Sequence, residues 1–285
     1  MRALLHTAGP QDREELSEYL LKDEEYWTAL TDRLRGKDPS LHFRNCPEVQ
    51  ILSFEGALGG CIYNDSRGYT FPAFRAPFDP ALTEALGQAV RRLPKVQTLL
   101  GDTRIVELCA AARKRPPDFR VDYTLMARRR GSETFPTAPL PAGFRIFRAD
   151  PSSARALYPL QKSYELEEVL LDPKRFNPLV CMSHLKESLK NQTIYAGRWQ
   201  GEPAAKAGTN ALGFGWAQIG GVYTIPKLRG RGLGKALMRT LLEDLEKREL
   251  GASLFVKPKN GPACSLYRHL GFEEIAPFTI IYYLR

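Results

Sequence analysis

Seven consecutive residues, Arg229-Gly230-Arg231-Gly232-Leu233-Gly234-Lys235, interleave glycines with cationic side chains just before a strongly amphipathic helical pattern. Glycine takes left-handed backbone conformations cheaply, and its missing Cβ lets a ligand approach bare N–H groups. At a helix start those N–H groups converge, and the helix dipole adds partial positive charge. The chemistry is therefore anion binding, and the flanking Lys227, Arg229, Arg231 and Lys235 suit a pyrophosphate together with a ribose phosphate. Two nucleotide loops are excluded by spacing. A Walker A loop needs Gly-x-x-x-x-Gly-Lys-Ser/Thr, but Arg229 and Ala236 stand where the first glycine and the hydroxyl belong. A Rossmann fingerprint needs Gly-x-Gly-x-x-Gly, whereas these glycines fall at 230, 232 and 234, with too little chain after them for a dinucleotide domain.

The elements that must hold this loop follow from periodicity. Trp216 to Ile225 reads as a strand leading into it, and the helix after it runs from about Gly232 to Glu249. That helix buries Leu233, Leu237, Leu241 and Leu245 and exposes Arg239, Glu243, Lys247 and Arg248. Earlier in this half, Ser152-Ser153 caps a helix through Leu157, Leu160 and Tyr164, with breaks expected at Pro159 and near Asp172-Pro173. A second helix spans Cys181 to Leu189, and strands cover Thr193–Trp199 and Ala204–Thr209. Ala252–Val256 is a strand, Pro262–Leu270 a helix and Thr279–Leu284 a closing strand. The N-terminal half opens on a helical pattern from Asp12 through Tyr19, Leu20 and Trp27. Strands follow at Val49–Phe54, Gly60–Tyr63 and Tyr69–Phe74, then a helix from Asp79-Pro80, a strand at Val96–Leu100, a helix at Ile105–Ala112 and a strand at Phe119–Met126. The order hairpin, helix, strand, helix, strand thus occurs twice, as internal duplication would produce; α/β domains also share such an order by chance. Between the halves, Gly131 to Gly143 holds three prolines and two glycines, an extended connector. The division is therefore 1–130, a linker at 131–142, and 143–285.

A length of 285 residues fits two domains, and 43% hydrophobic residues supply a core for each. The first ten residues are too short in apolar run for a secretory signal, and no stretch approaches the roughly 18 apolar residues that span a bilayer. A cytoplasmic protein without membrane partners is expected. Cys46, Cys61, Cys109, Cys181 and Cys264 are scattered and odd in number, which indicates neither a disulfide framework nor a metal site. The net charge of +9 could attract nucleic acid, yet no Lys/Arg block is interleaved with aromatics, so nucleic acid is not expected as a partner.

At the glycine loop the sequence resembles the GNAT superfamily of N-acetyltransferases. Arg229, Gly232 and Gly234 match its phosphate-loop pattern Gln/Arg-x-x-Gly-x-Gly/Ala. Downstream, Asn260-Gly-Pro-Ala263-Cys-Ser-Leu266-Tyr267-Arg-His-Leu-Gly271-Phe272 is similar to its segment Asn-x-x-Ala-x-x-Leu/Phe-Tyr-x-x-x-Gly-Phe. The resemblance covers residues 143–285. Ala207–Ala211 with Gln218–Thr224 looks like a two-domain bacterial subgroup of acetyltransferases, and the N-terminal half resembles a degenerate copy. Its equivalent turn, Ala73-Phe-Arg-Ala-Pro-Phe78, has no glycine, so coenzyme A is not expected there.

The resemblance implies an α/β (α+β) acyl-CoA N-acyltransferase fold, a mixed, mostly antiparallel sheet flanked by helices and repeated in tandem. It implies acetyl-CoA as cosubstrate, no metal, and transfer of acetyl to a small-molecule or peptide amine by direct attack in a ternary complex. Coenzyme A would lie along Val222, Tyr223 and Thr224, with its pyrophosphate on Arg229, Gly230, Arg231, Gly232, Leu233, Gly234 and Lys235. Tyr267 occupies the place of the family's tyrosine that returns a proton to the thiolate; packing in a helix core is its other role. Asn260 either bonds the pantetheine arm or caps the helix at Pro262. The strand carboxylate that many members use as base is absent from Trp216–Tyr223, where Gln218 stands. Glu167 and Glu168, on a helix that lines the acceptor side in the family, are the candidates, beside the plainer reading of a solvated acidic face. Cys264, His184 and His269 are assigned no role. The competing function is a non-catalytic CoA-binding or protein-interaction module.

Overall fold

The computed structural model describes residues 3–35, 48–54, 56–75, 80–132 and 139–284. The middle of the connector, positions 76–78 of the glycine-free turn and Cys46 lie outside the described residues. Strands β1 (Ala3–Thr7), β2 (Val49–Phe54), β3 (Ala57–Asn64), β4 (Tyr69–Ala73), β5 (Thr98–Asp102) and β6 (Phe119–Arg128) belong to the first half by chain order. Helices α1 (Arg13–Lys22), α2 (Thr28–Arg35), α3 (Pro80–Arg92) and α4 (Thr103–Ala112) connect them. The second half contributes β7 (Phe144–Arg148), α5 (Ala154–Tyr164), α6 (Pro178–Asn191), β8 (Ile194–Trp199), β9 (Glu202–Leu212), β10 (Trp216–Thr224), α7 (Leu233–Lys247), β11 (Gly251–Val256), α8 (Gly261–His269) and β12 (Glu273–Tyr282).

All twelve strands form one sheet, ordered β1-β2-β3-β4-β5-β12-β6-β11-β10-β9-β8-β7. Pairing is antiparallel except at β4·β5 and β10·β11. The two halves exchange their last strands. β12, at the end of the chain, pairs with β5 of the first half, and β6 pairs with β11 of the second, so that β12 and β6 meet in the middle. The linker divides the chain but not the sheet. The core follows this exchange: Phe278, Ile281 and Tyr283 are buried among residues of the first half, while Met126 is buried in the cluster around α7.

The helical pattern from Asp12 to Trp27 is broken into α1, a single 3-10 turn at Glu24–Tyr26, and α2. Trp27 causes the break: its indole donates to the Leu20 carbonyl at 2.6 Å and its ring stacks on Tyr19. A second contact ties the halves together. Buried Glu24 accepts from Thr31 and from the Phe214 and Gly215 amides at 2.8 and 2.7 Å, and Asp32 accepts from the Leu212 amide. Helix α2 thereby holds the β9–β10 turn.

In the second half Asp150, not Ser152-Ser153, caps the helix entry, accepting from the Ser152 amide at 2.8 Å. Pro159 does not break α5, because it lies on the exposed face and the carbonyl it leaves free, that of Arg155, is also at the surface. The break falls instead at Glu165–Val169, a π-turn closed by the Leu170 amide on the Glu165 carbonyl at 2.8 Å. β12 starts at Glu273, earlier than Thr279, with a register slip between Glu274 and Ala276. Leu233, Leu237, Leu241 and Leu245 are buried on α7, joined by Met238 and Leu242. Strands β1 and β7 were not anticipated by the periodicity.

Candidate active site

β10 runs parallel to β11 over Trp216–Ile219 against Gly251–Leu254, and the pairing stops there. On its other side the register with β9 slips between Gly220 and Tyr223, so that Gly221 and Val222 together face Ala207. Gly221 adopts φ +62°, which a side chain would resist. The strand is bulged where it leaves β11, and the gap between the two strands opens at that point. At the end of β10 a 3-10 turn, Pro226–Leu228, leads to Arg229 in extended conformation. Gly230 and Gly232 then sit at φ +76° and +77°, and Gly232 is the N-cap of α7. Added Cβ atoms would meet open space at both, so the left-handed backbone, not crowding by the protein, calls for glycine. The first bond of α7 runs from the Ala236 amide to the Gly232 carbonyl at 3.0 Å, and the amides of Leu233, Gly234 and Lys235 lack intrahelical acceptors. The glycine-bordered helix start thus falls where the spacing implies.

A cavity of about 350 Å³ occupies the gap between the strands. Gly220, Gly221 and Val222 form one wall; Glu168, Lys257 and Tyr267 face it. Tyr267 is buried, and its ring packs edge-on to Phe272 at 5.9 Å. It belongs both to the core and to the cavity wall. Burial above all, then the nearby Tyr164 and Glu168, push its phenol well above the ordinary tyrosine value. Asn260 also lines the cavity, while its Oδ1 accepts from the Ala263 amide at 3.2 Å and caps α8.

The π-turn sends its two glutamates to different places. Glu167 is held at the phosphate-loop end: Arg229 donates to Oε1 at 2.6 Å, and the Tyr223 hydroxyl donates to Oε2 at 3.0 Å. Glu168 reaches the cavity, where the Lys257 ammonium lies 3.3 Å from Oε2 and donates to the Glu168 backbone carbonyl at 2.8 Å. Arg229 also donates to the Thr224 carbonyl at 3.0 Å. Its guanidinium therefore braces the strand end against the π-turn. Arg231 instead lies over the Trp199 ring. Buried Cys264 has the Lys257 carbonyl as its neighbour, and His184 and His269 are exposed.

The first half reaches the same cavity. Ala29, Tyr69, Leu100 and Tyr123 form part of its lining, with Ile280 and Tyr282 of the exchanged β12. Burial raises the Tyr69 phenol to about 12, with the Arg33 guanidinium 3.9 Å from its ring centroid acting against that rise. Sequence reasoning did not anticipate Lys257, Asn210, Tyr164 or these first-half tyrosines. Lys257 carried a usable signal, since it directly follows β11 and precedes Asn260 by three residues. The first half has its own short parallel pair, Tyr69–Thr70 against Thr98–Leu99, and a second cavity of about 270 Å³ lined by Phe71, Phe74, Arg75 and Asp102.

Residues 157–272 match the model of the acetyltransferase (GNAT) family. That match lies wholly within the second half of the chain and takes in both the glycine loop and Tyr267. Among curated relatives, the mycothiol acetyltransferase of Acidothermus cellulolyticus is 41% identical over 78 residues, 26% of this chain and 24% of that protein. The mycothiol acetyltransferase of a Nocardioides species is 29% identical over 211 residues, 62% of this chain and 66% of its own length. In both cases the chain spans less than two thirds of the relative's length. A tandem GNAT protein from the clavulanic acid biosynthesis pathway shares the fold over 98% of both chains, with a TM-score of 0.56 at 15% identity. Among the described residues no helix is long and apolar enough to cross a membrane, and no cluster of three metal-ligating side chains occurs.

Proposed function

We propose that this protein transfers an acetyl group from acetyl-CoA to a primary amine by direct attack within a ternary complex. The observation that carries this reading is one cavity walled by a bulged strand, a buried tyrosine and a carboxylate, opening beside a glycine-rich helix start. The residues present fit coenzyme A: the amides of Leu233, Gly234 and Lys235 would hold its pyrophosphate, and the backbone of Val222, Tyr223 and Thr224, with Asn260, would hold its pantetheine arm. Acetyl-CoA supplies the activated thioester. Glu168 takes the proton of the incoming amine, since Glu167 has both oxygens engaged by Arg229 and Tyr223. Lys257 holds Glu168 toward the cavity. The Val222 amide meets the negative charge that builds on the carbonyl oxygen, and Tyr267 returns a proton to the departing thiolate. The division at 131–142 gives the first half a supporting role, closing the sheet and lining the acceptor end.

The relatives' name makes mycothiol chemistry the first acceptor class to try, followed by amino acids, polyamines and peptide amines. The assay incubates purified protein with acetyl-CoA and each acceptor and reads acetylated product by mass spectrometry. Glu168→Gln should lower kcat by about a hundredfold or more, as expected for loss of a general base, and flatten the acid limb of the pH profile. Gly232→Ala should weaken coenzyme A binding by roughly tenfold, because an L-residue at this φ costs roughly 1–2 kcal/mol. Isothermal titration with coenzyme A measures it, and unchanged affinity would remove the loop from the site. One observation favours the non-catalytic alternative: Gln218, not a carboxylate, stands on β10, and it lines the cavity. Tight coenzyme A binding with no product from any acceptor would establish that alternative.

A further inference from the structure

The bulge in β10 is braced from behind by a buried cluster built around Lys206. Lys206, on β9, is 5% exposed. Its ammonium donates to the Gly221 carbonyl at 3.0 Å and lies 4.5 Å from the centroid of the Tyr164 ring. The Tyr164 ring also packs edge-on to Tyr223, with centroids 6.2 Å apart. The one residue of β10 with a left-handed φ thus has its carbonyl held by a buried cation.

Burying an ammonium is expensive unless it is paired and hydrogen-bonded. Three groups offset that cost here. The Gly221 carbonyl and the Tyr164 face are two, and Glu165, on the π-turn, adds an opposite charge. Glu165 itself accepts from Gln161 at 3.0 Å. Burial still lowers the Lys206 value to about 8. A methionine would fill the same space without that penalty, so packing alone does not account for a lysine. Its distinguishing product is the fixed orientation of the Gly221 peptide. A Cβ on Gly221 would come within 2.9 Å of the ammonium, so the glycine and the lysine are matched.

We propose that Lys206 is a positioning residue of the acyl-CoA cleft, fixing the Gly221 peptide so that the β10 bulge presents Val222 and its neighbours to the pantetheine arm. This rests on the reading of the cleft as a coenzyme A site. Without the ammonium the Gly221 carbonyl is free to turn, the bulge relaxes toward regular pairing, and the gap narrows at its splayed end.

The test titrates coenzyme A calorimetrically into the full-length wild type, Lys206→Met and Lys206→Arg, with melting temperatures measured alongside. Lys206→Met should weaken coenzyme A binding roughly tenfold, the loss expected for one charge-assisted hydrogen bond. Lys206→Arg, which keeps a donor for the Gly221 carbonyl, should recover most of that affinity. If product formation is measurable, KM for acetyl-CoA should rise in Lys206→Met while KM for the acceptor stays within about twofold. Wild-type binding with unchanged affinity in a folded Lys206→Met would overturn the positioning role. So would an arginine variant as weak as the methionine one at the same melting temperature. If the wild type itself fails to bind coenzyme A, the reading of the cleft fails instead. Should Lys206→Met not fold, the folded arginine variant decides: affinity close to wild type supports the proposal, and affinity as low as roughly a tenth of it sinks the proposal.

Discussion

Tyr267→Phe should lower kcat by about a hundred- to ten-thousandfold while coenzyme A affinity stays within about twofold of wild type. The substitution removes one hydroxyl and keeps the ring that packs edge-on against Phe272, so the fold has little reason to respond. The direction of the phenol's shift suits the proposed role as an acid. Burial is the largest cause, and the neighbouring Tyr164 and Glu168 add to it, all favouring the neutral phenol. A raised value keeps the proton in place throughout neutral pH, yet a departing thiolate beside it in a low-dielectric cavity can take that proton. The sign for stability follows. The preference for the neutral phenol contributes fully below the ordinary tyrosine value and is lost only as pH rises through the raised one. Tyr267 should therefore set no alkaline limb between pH 7 and 9 in the wild type; single-turnover rates against pH for both forms would show it. An unaltered kcat in the phenylalanine variant would leave Tyr267 a core residue only.

Local signals were legible where one stretch of chain makes the whole feature. The anion cradle is such a case, because its glycines, its helix and its charges fall within a few residues. Asn260 is another: its cap on the Ala263 amide lies three residues away. Two strands escaped notice for a shared reason. β1 and β7 are the two edges of the sheet, five residues each, and short edge strands carry little alternation. Glu167 and Glu168 could not be separated beforehand, since an ordinary helix would offer both to one surface. The π-turn, reached only after Pro159 failed to break the helix, sends one to the loop and the other to the cavity. Least legible were features made by pairing across the chain. Periodicity shows which side chains of β6 and β12 turn inward, but not that each strand lies in the other half's territory. For the same reason Tyr69 and Tyr123 could not be foreseen in a cavity built around Tyr267.

That exchange carries the other large expected effect. Residues 1–130 and 143–285 produced separately should each fail to form a stable monomer, and producing them together should restore a 1:1 complex that binds coenzyme A. The first half alone loses β12, which takes away three buried side chains at once. Phe278 packs against Phe71, with ring centroids 6.2 Å apart, while Ile281 and Tyr283 fill the cluster under α3 and α4. At about 1.5–3 kcal/mol for each large side chain, this loss rivals the whole stability of about 5–15 kcal/mol usual for a domain. The second half alone loses β6, leaving β11 as an open edge along Ala252–Val256 and removing Met126 from the core around α7. It also loses Glu24 and Asp32, whose carboxylates hold the β9–β10 turn, so that the amides of Leu212, Phe214 and Gly215 must find other partners. Each half could close by folding its own last strand back onto itself. In the first half that closure would lack Phe278 and Ile281, which are buried in its core. Size-exclusion chromatography with light scattering and hydrogen exchange on the separate and combined halves distinguishes the outcomes. A monomeric 143–285 fragment that melts cooperatively and binds coenzyme A as tightly as the whole chain would show that the exchanged strands are dispensable, and that the acceptor end of the cavity does not depend on the first half.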